Sequence, residues 1–244
     1  TALDDRQPAT PGPNEDVVFD ANSCAVPASP TPYTVTIDDV AGTVYCHHMD
    51  WSGAAGATLS QSGSTSKTIY VYGSLTLGAG VTIAYTGSWR FAGAGTVKTA
   101  GKKLITAYFQ GSGEYLLDGP LTVDYFYHSA GVLRTQNNAM NTYQFQGTGG
   151  ELYLGASTLT IAAGSNSSQV LYAVNKFFAQ NSTVVFQSYS IYLSSSQHTI
   201  GLTFNNLVFE GDDINWVSDL NVLGKMTFKK SNTYQGLRSC SINE

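Results

Sequence analysis

The chain has 244 residues, a formal net charge of −5, 12 % charged and 42 % hydrophobic residues, including 15 Tyr and 11 Phe. So much apolar content with so little net charge excludes a disordered chain. Lys102–Lys103 and Lys229–Lys230 are the only adjacent basic pairs, which excludes the clustered cations that phosphate binding requires, and no run of about 18 apolar residues exists to form a transmembrane helix.

Residues 1–33 hold six of the seven prolines and read as an extended lead-in or assembly arm, with one strand-like island at Val17-Val18-Phe19. The start at Thr1, with neither Met nor signal peptide, is expected of a processed chain or of part of a longer one. Three cysteines, Cys24, Cys46 and Cys240, cannot all pair within the chain. Cys24 and Cys46 share the N-terminal segment and are candidates for a disulfide; the alternative is three reduced, buried thiols.

From residue 34 to residue 228 the composition changes to short alternating segments separated by Gly, Ser, Asn and Asp. Thr34-Val35-Thr36-Ile37, Ser74-Leu75-Thr76-Leu77, Val81-Thr82-Ile83, Leu121-Thr122-Val123, Thr158-Leu159-Thr160-Ile161 and Leu220-Asn221-Val222 all show period two. Branched and aromatic residues at that period suit half-buried strands. The best helix candidate, 170–180, is short and rich in Val, Tyr and Phe, so very little helix is expected. Residues 229–244 read as a C-terminal tail.

Repetition sets the expected architecture. A Phe-x-Gly-like element recurs at Phe91, Phe109, Phe145, Phe186 and Phe209, at intervals of 18, 36, 41 and 23 residues. These intervals read as one, two, two and one steps of a unit of about 20 residues, the size of one solenoid rung. The chain is therefore expected to be all-β, a parallel β-helix or β-solenoid with Phe over Phe and Leu over Leu in inner ladders, and with Gly, Asn and Ser at its corners. An antiparallel β-sandwich or jelly roll is the alternative.

The run from Cys46-His47-His48-Met49-Asp50-Trp51-Ser52-Gly53 through Ile69-Tyr70-Val71-Tyr72-Gly73-Ser74-Leu75-Thr76-Leu77 resembles β-helical repeat proteins of phage tails and fibres and of metagenomic surface proteins. Leu152 to Ile161, Ser182 to Phe186 and Phe204 to Gly211 look like the recurrent rungs of that family, and the resemblance covers roughly residues 14–228. It implies a structural or adhesive role and no defined catalytic set.

Cys46-His47-His48-Met49-Asp50 offers metal-ligating groups. On a strand, however, neighbouring side chains point to opposite faces, so His47 and His48 would not meet at one ion without a bulge, and no metal is expected. Asp212 and Asp213 with Glu210, and the looser group Glu114, Asp118 and Asp124, are the only acids that invite a glycosidase or lyase comparison. Each reads as a turn former or solvated corner rather than as one of two opposed carboxyls. A nucleophile elbow, a phosphate loop and a dinucleotide fingerprint are all missing. Tyr125, Tyr127, Tyr189, Tyr192 and Trp216 are candidates for surface stacking on sugars or partner proteins; the competing role is filling of the inner ladders. Asn166-Ser167-Ser168 and Asn181-Ser182-Thr183 have the form of glycosylation sequons.

The expectation is thus a non-enzymatic fibre or adhesin module, extracellular or on a virion surface, without a cofactor, that associates with copies of itself and contacts cell-surface glycan. A polysaccharide-degrading enzyme on the same fold is the alternative.

Overall fold

The computed structural model describes residues 11–20, 23, 33–37, 42–63, 67–162, 168–170, 176–187, 191–193, 202–211, 213–215, 220–229, 233–235 and 241–242. Every strand pairing among them is parallel, and the chain forms a β-solenoid. Parallel pairing between successive passes of one chain excludes the sandwich and the jelly roll, whose neighbours run antiparallel. The segment 170–180 is not a helix where it is described: Val170 ends the strand Ser168–Val170 and Phe177–Phe178 forms another.

Two long sheets run along the solenoid. One is 12-stranded and includes Thr43–Cys46, Thr68–Val71, Ser88–Phe91, Lys103–Phe109, Leu121–His128 and Met140–Gly147. The other has eight strands, from Val17–Val18 through Met49–Asp50 to Phe177–Phe178. A third face is closed near the N-terminal end by Thr34–Ile37, Thr58–Gln61 and Thr82–Ile83, while Thr203–Phe204, Asn221–Val222 and Ser241–Ile242 carry on the face of the eight-stranded sheet past Phe177–Phe178, with the Phe177 and Phe204 rings 5.1 Å apart. Pairing passes both ends of the 34–228 segment. Val17–Val18 in the lead-in pairs with Met49–Asp50, and Thr233–Gln235 in the tail pairs with Asp213–Asn215.

Alternation along each strand sends one side chain in and the next out, so equivalent residues of successive rungs stack in register. Val44, Ile69, Trp89, Ala107, Phe126 and Phe145 form one inner ladder of the 12-stranded sheet. Cys46, Val71, Phe91, Phe109, His128 and Gly147 form the next. A third runs from Leu104 through Val123, Thr142, Ile161, Phe186 and Phe209 to Phe228. The Phe-x-Gly elements therefore feed three ladders rather than one. Phe91 stacks on Phe109 with ring centroids 4.6 Å apart, Phe126 on Phe145 at 4.7 Å, and Phe186 on Phe209 at 5.6 Å. Aromatic faces in this offset arrangement add to the area that they bury.

Left-handed backbone is concentrated at corners, at Ala100, Gly101, Gln136, Asn137, Gly155 and Gln180. Gly155 illustrates why: its φ of 60° and the Asn137 Oδ1 only 2.3 Å from where a Cβ would stand leave no room for a side chain. The same Asn137 oxygen accepts the Ala156 N–H at 2.7 Å, so the corner of one rung caps that of the next.

Candidate functional site

The strands Lys103–Phe109, Leu121–His128 and Met140–Gly147 are the longest among the described residues, and each turns a bend midway. The register is unchanged across the bend but the pairing of one residue lapses there: Leu104 pairs with Val123 and Thr106 with Tyr125, while Val123 pairs with Thr142 and Tyr125 with Gln144. The buried Thr142 hydroxyl lies 3.3 Å from the Asp124 carbonyl and 2.7 Å from that of Gln144, satisfying main-chain oxygens where the ladder is interrupted. Tyr143 projects outward from the bend and is 50 % exposed.

Beside the bend lies a groove of about 440 Å³ on the outer surface. Lys103, Thr122, Asn141 and Thr160 form its floor, one residue from each of four successive rungs. Tyr143 and Asp124 line one side and Gln187 another. The Lys103 ammonium lies 2.8 Å from an Asp124 carboxylate oxygen, so the groove carries an internally compensated pair. The Gln187 side chain donates to Glu210 at 3.1 Å, and Glu210 also accepts from Lys229 at 2.6 Å. Those bonds hold the Glu210 carboxyl below the usual carboxylate range, chiefly through Lys229.

Of the aromatic candidates, Tyr125 is 38 % exposed and meets Tyr143 edge to face, with centroids 6.4 Å apart. Tyr127 differs: it stacks face to face on Tyr108 at 4.5 Å, with planes 11° apart. It belongs to an outer ladder, Tyr45, Tyr70, Arg90, Tyr108 and Tyr127, followed by Gln146, Gln169 and Tyr192. Arg90 sits between rings, 4.2 Å from the Tyr108 centroid and 5.7 Å from that of Tyr70, and donates to Gln110 at 2.7 Å. Ring faces spent on neighbours are not free for a sugar. Tyr189 and Trp216 lie outside the described residues, as does the Tyr192 side chain. Tyr85 and Tyr115 belong to the core; their hydroxyls donate to the carbonyls of Lys67 and Val71, at 2.8 and 2.9 Å.

The looser group of acids does not converge on one point. Glu114 pairs with Arg134, Asp118 with Lys98 and Asp124 with Lys103, in each case a different cation. Asp212 lies outside the described residues, and Asp213 is described only as the first residue of a strand.

His47 and His48 are brought together, contrary to the expectation from strand alternation. They occupy the corner between Thr43–Cys46 and Met49–Asp50, where the period-two rule lapses, and their rings meet edge to face at 4.0 Å. Asp16 joins them, accepting from the His48 main-chain N–H and contacting His47 Nδ1, both at 3.1 Å. The His48 main-chain bond is the main reason the Asp16 carboxyl is held below its ordinary value. Ligand atoms of the three residues lie within 4.8 Å of one another. Yet His48 Nδ1 accepts the Ser74 N–H at 2.8 Å, which places the proton of the neutral ring on Nε2 and leaves that nitrogen no lone pair for an ion. A metal-ligating imidazole makes the opposite arrangement, donating through its second nitrogen. The cluster instead ties the lead-in to the first corner.

Cys46 is a buried thiol whose sulfur lies 3.5 Å from the Tyr70 carbonyl, and burial pushes its pKa up to about 12. Cys24, its candidate partner, lies outside the described residues.

Comparison with protein-family models, with curated proteins and with solved structures returned no match.

Proposed function

We propose that this chain is a structural or adhesive repeat module of an extracellular fibre, a phage tail or tail-fibre part or a secreted bacterial filament or adhesin. In this reading it stacks with copies of itself and touches cell-surface glycan. The observation that carries it is the solenoid itself, with its core filled by stacked ladders and its outer charges paired across adjacent rungs. Such an object is a stiff rod with regular outer faces, suited to reach and contact.

Self-association is supported by the two ends. Among the described residues, Val17–Val18 and Thr34–Ile37 each pair on one side only, as do Thr233–Gln235 and Ser241–Ile242. Strand edges of this kind invite addition of another strand. Against the enzymatic alternative stands the separation of Glu114, Asp118 and Asp124 into three ion pairs with different cations.

Sedimentation velocity at micromolar concentration tests the assembly, with oligomers expected and a stable monomer as the contrary result. A reducing-end assay on a panel of polysaccharides tests the non-catalytic role. Sustained release of reducing ends would move the chain to the carbohydrate-active enzymes.

A further inference from the structure

Resting on the reading that an outer face contacts glycan, we propose that the groove beside Tyr143 is the binding site and that its ligand is a segment of neutral polysaccharide. The groove has the two kinds of surface that a sugar ring needs. Tyr143 is half exposed and sits outside the ringed ladder of Tyr70, Arg90, Tyr108 and Tyr127. It meets the ring of Tyr125 edge to face rather than in a stack. A ring in that position offers a flat apolar platform for the C–H face of a sugar. Asn141, Thr160 and Gln187 supply amide and hydroxyl groups that both donate and accept, which matches the hydroxyls of a sugar. A volume of about 440 Å³ falls within the ~300–1,000 Å³ of ordinary ligand sites.

The charge pattern selects the class of glycan. Lys103 is the cation lining the groove, and Asp124 already neutralises it at 2.8 Å. A uronate or sulfated chain would have to displace Asp124 to reach the ammonium, leaving that carboxylate beside a second anion. A neutral sugar can instead hydrogen-bond to the outer atoms of the intact pair. Alignment of the floor residues on successive rungs gives the groove a direction along the solenoid axis, so a linear chain lying along that axis meets one polar side chain at each rung.

The test is affinity electrophoresis of the full chain in native gels containing a soluble β-glucan, a mannan, a xylan or polygalacturonate. Retardation by at least one of the three neutral polymers is expected. Tyr143→Ala should weaken it about tenfold, the loss of one aromatic stacking partner, while Tyr143→Phe retains it because the ring face and not the hydroxyl is used. Asn141→Ala should weaken binding several-fold, and Tyr45→Ala, remote on the outer ladder, should bind like the parent. Circular dichroism checks that each variant keeps its β signal. Parent-like retardation of Tyr143→Ala would overturn the groove while leaving glycan contact standing elsewhere. Retardation by polygalacturonate alone would overturn the neutral class, and retardation by none of the four would remove the site altogether. The self-association measured by sedimentation is independent of all these outcomes.

Discussion

His128 occupies a position that its neighbours on the same inner ladder, Phe91 and Phe109, fill with phenyl rings. It is 1 % exposed and packs edge to face with both Phe109 and Phe126, at centroid distances of 6.5 Å. Burial away from water penalises the charged ring and lowers its pKa from 6.5 to about 4, partly offset by hydrogen bonds to the main chain of Ala130 and Gly131. In the unfolded chain the same imidazole titrates near its ordinary value. Between the two values the unfolded state binds the extra proton, so the fold is fully supported above pH 6.5 and loses support as pH falls toward 4. At ~1.4 kcal/mol per pH unit the loss reaches about 3 kcal/mol at pH 4, a large share of the ~5–15 kcal/mol typical of a folded domain. The measurement is chemical denaturation of the parent and of His128→Leu at pH 7 and at pH 4. The variant is expected to lose less stability than the parent over that interval, by an amount of that order, because both share every other acid-sensitive group. Equal losses in the two proteins would refute the argument that a neutral, desolvated imidazole sits in the ladder.

Phe126→Ala empties a fully buried site between Phe109 and Phe145 and should cost ~3–5 kcal/mol in a denaturation midpoint analysis. Gly93→Ala would set a Cβ 1.9 Å from the Tyr72 carbonyl oxygen, so it should destabilise by at least ~1–3 kcal/mol, seen as a lower melting temperature. In a chain carrying Cys24→Ser and Cys240→Ser, Cys46 should resist a thiol reagent at pH 8 until denaturant is added, since its pKa is raised to about 12; rapid native-state labelling would contradict the burial.

The fold is legible in the sequence because the features that build a solenoid rung are local. Alternation at Thr158-Leu159-Thr160-Ile161 and turn residues such as Gly101 and Asn137 announce short strands and tight corners without reference to the rest of the chain. Register is less legible. Phe109 and Phe145 look alike in sequence, yet Phe109 stacks below His128 while Phe145 stacks on Phe126, because a shift of two residues along a strand keeps a side chain inside and moves it to the next ladder. Tyr127 reads as a free surface in sequence, but its neighbour on the adjacent rung, Tyr108, covers one face. His47 and His48 follow strand alternation on paper and occupy a corner in the fold. The groove is hard to see in the sequence because its residues are individually ordinary. Its signal is the constant 19-residue spacing of Lys103, Thr122, Asn141 and Thr160, a periodicity of polar residues that an eye trained on Phe and Leu passes over.

Parallel pairing of each rung with only the rung before and the rung after has a consequence for how such a protein can change over generations. A whole rung inserted or removed leaves the remaining neighbours facing the same kinds of surface that they faced before, whereas a gain or loss of a few residues within a strand moves every later side chain out of its column. Length is therefore free to vary in steps, each of about 20 residues of chain and about 4.8 Å of reach, with cross-section and core chemistry held constant. A gene encoding this chain carries a ruler whose divisions can be added or struck out by recombination between its own similar segments.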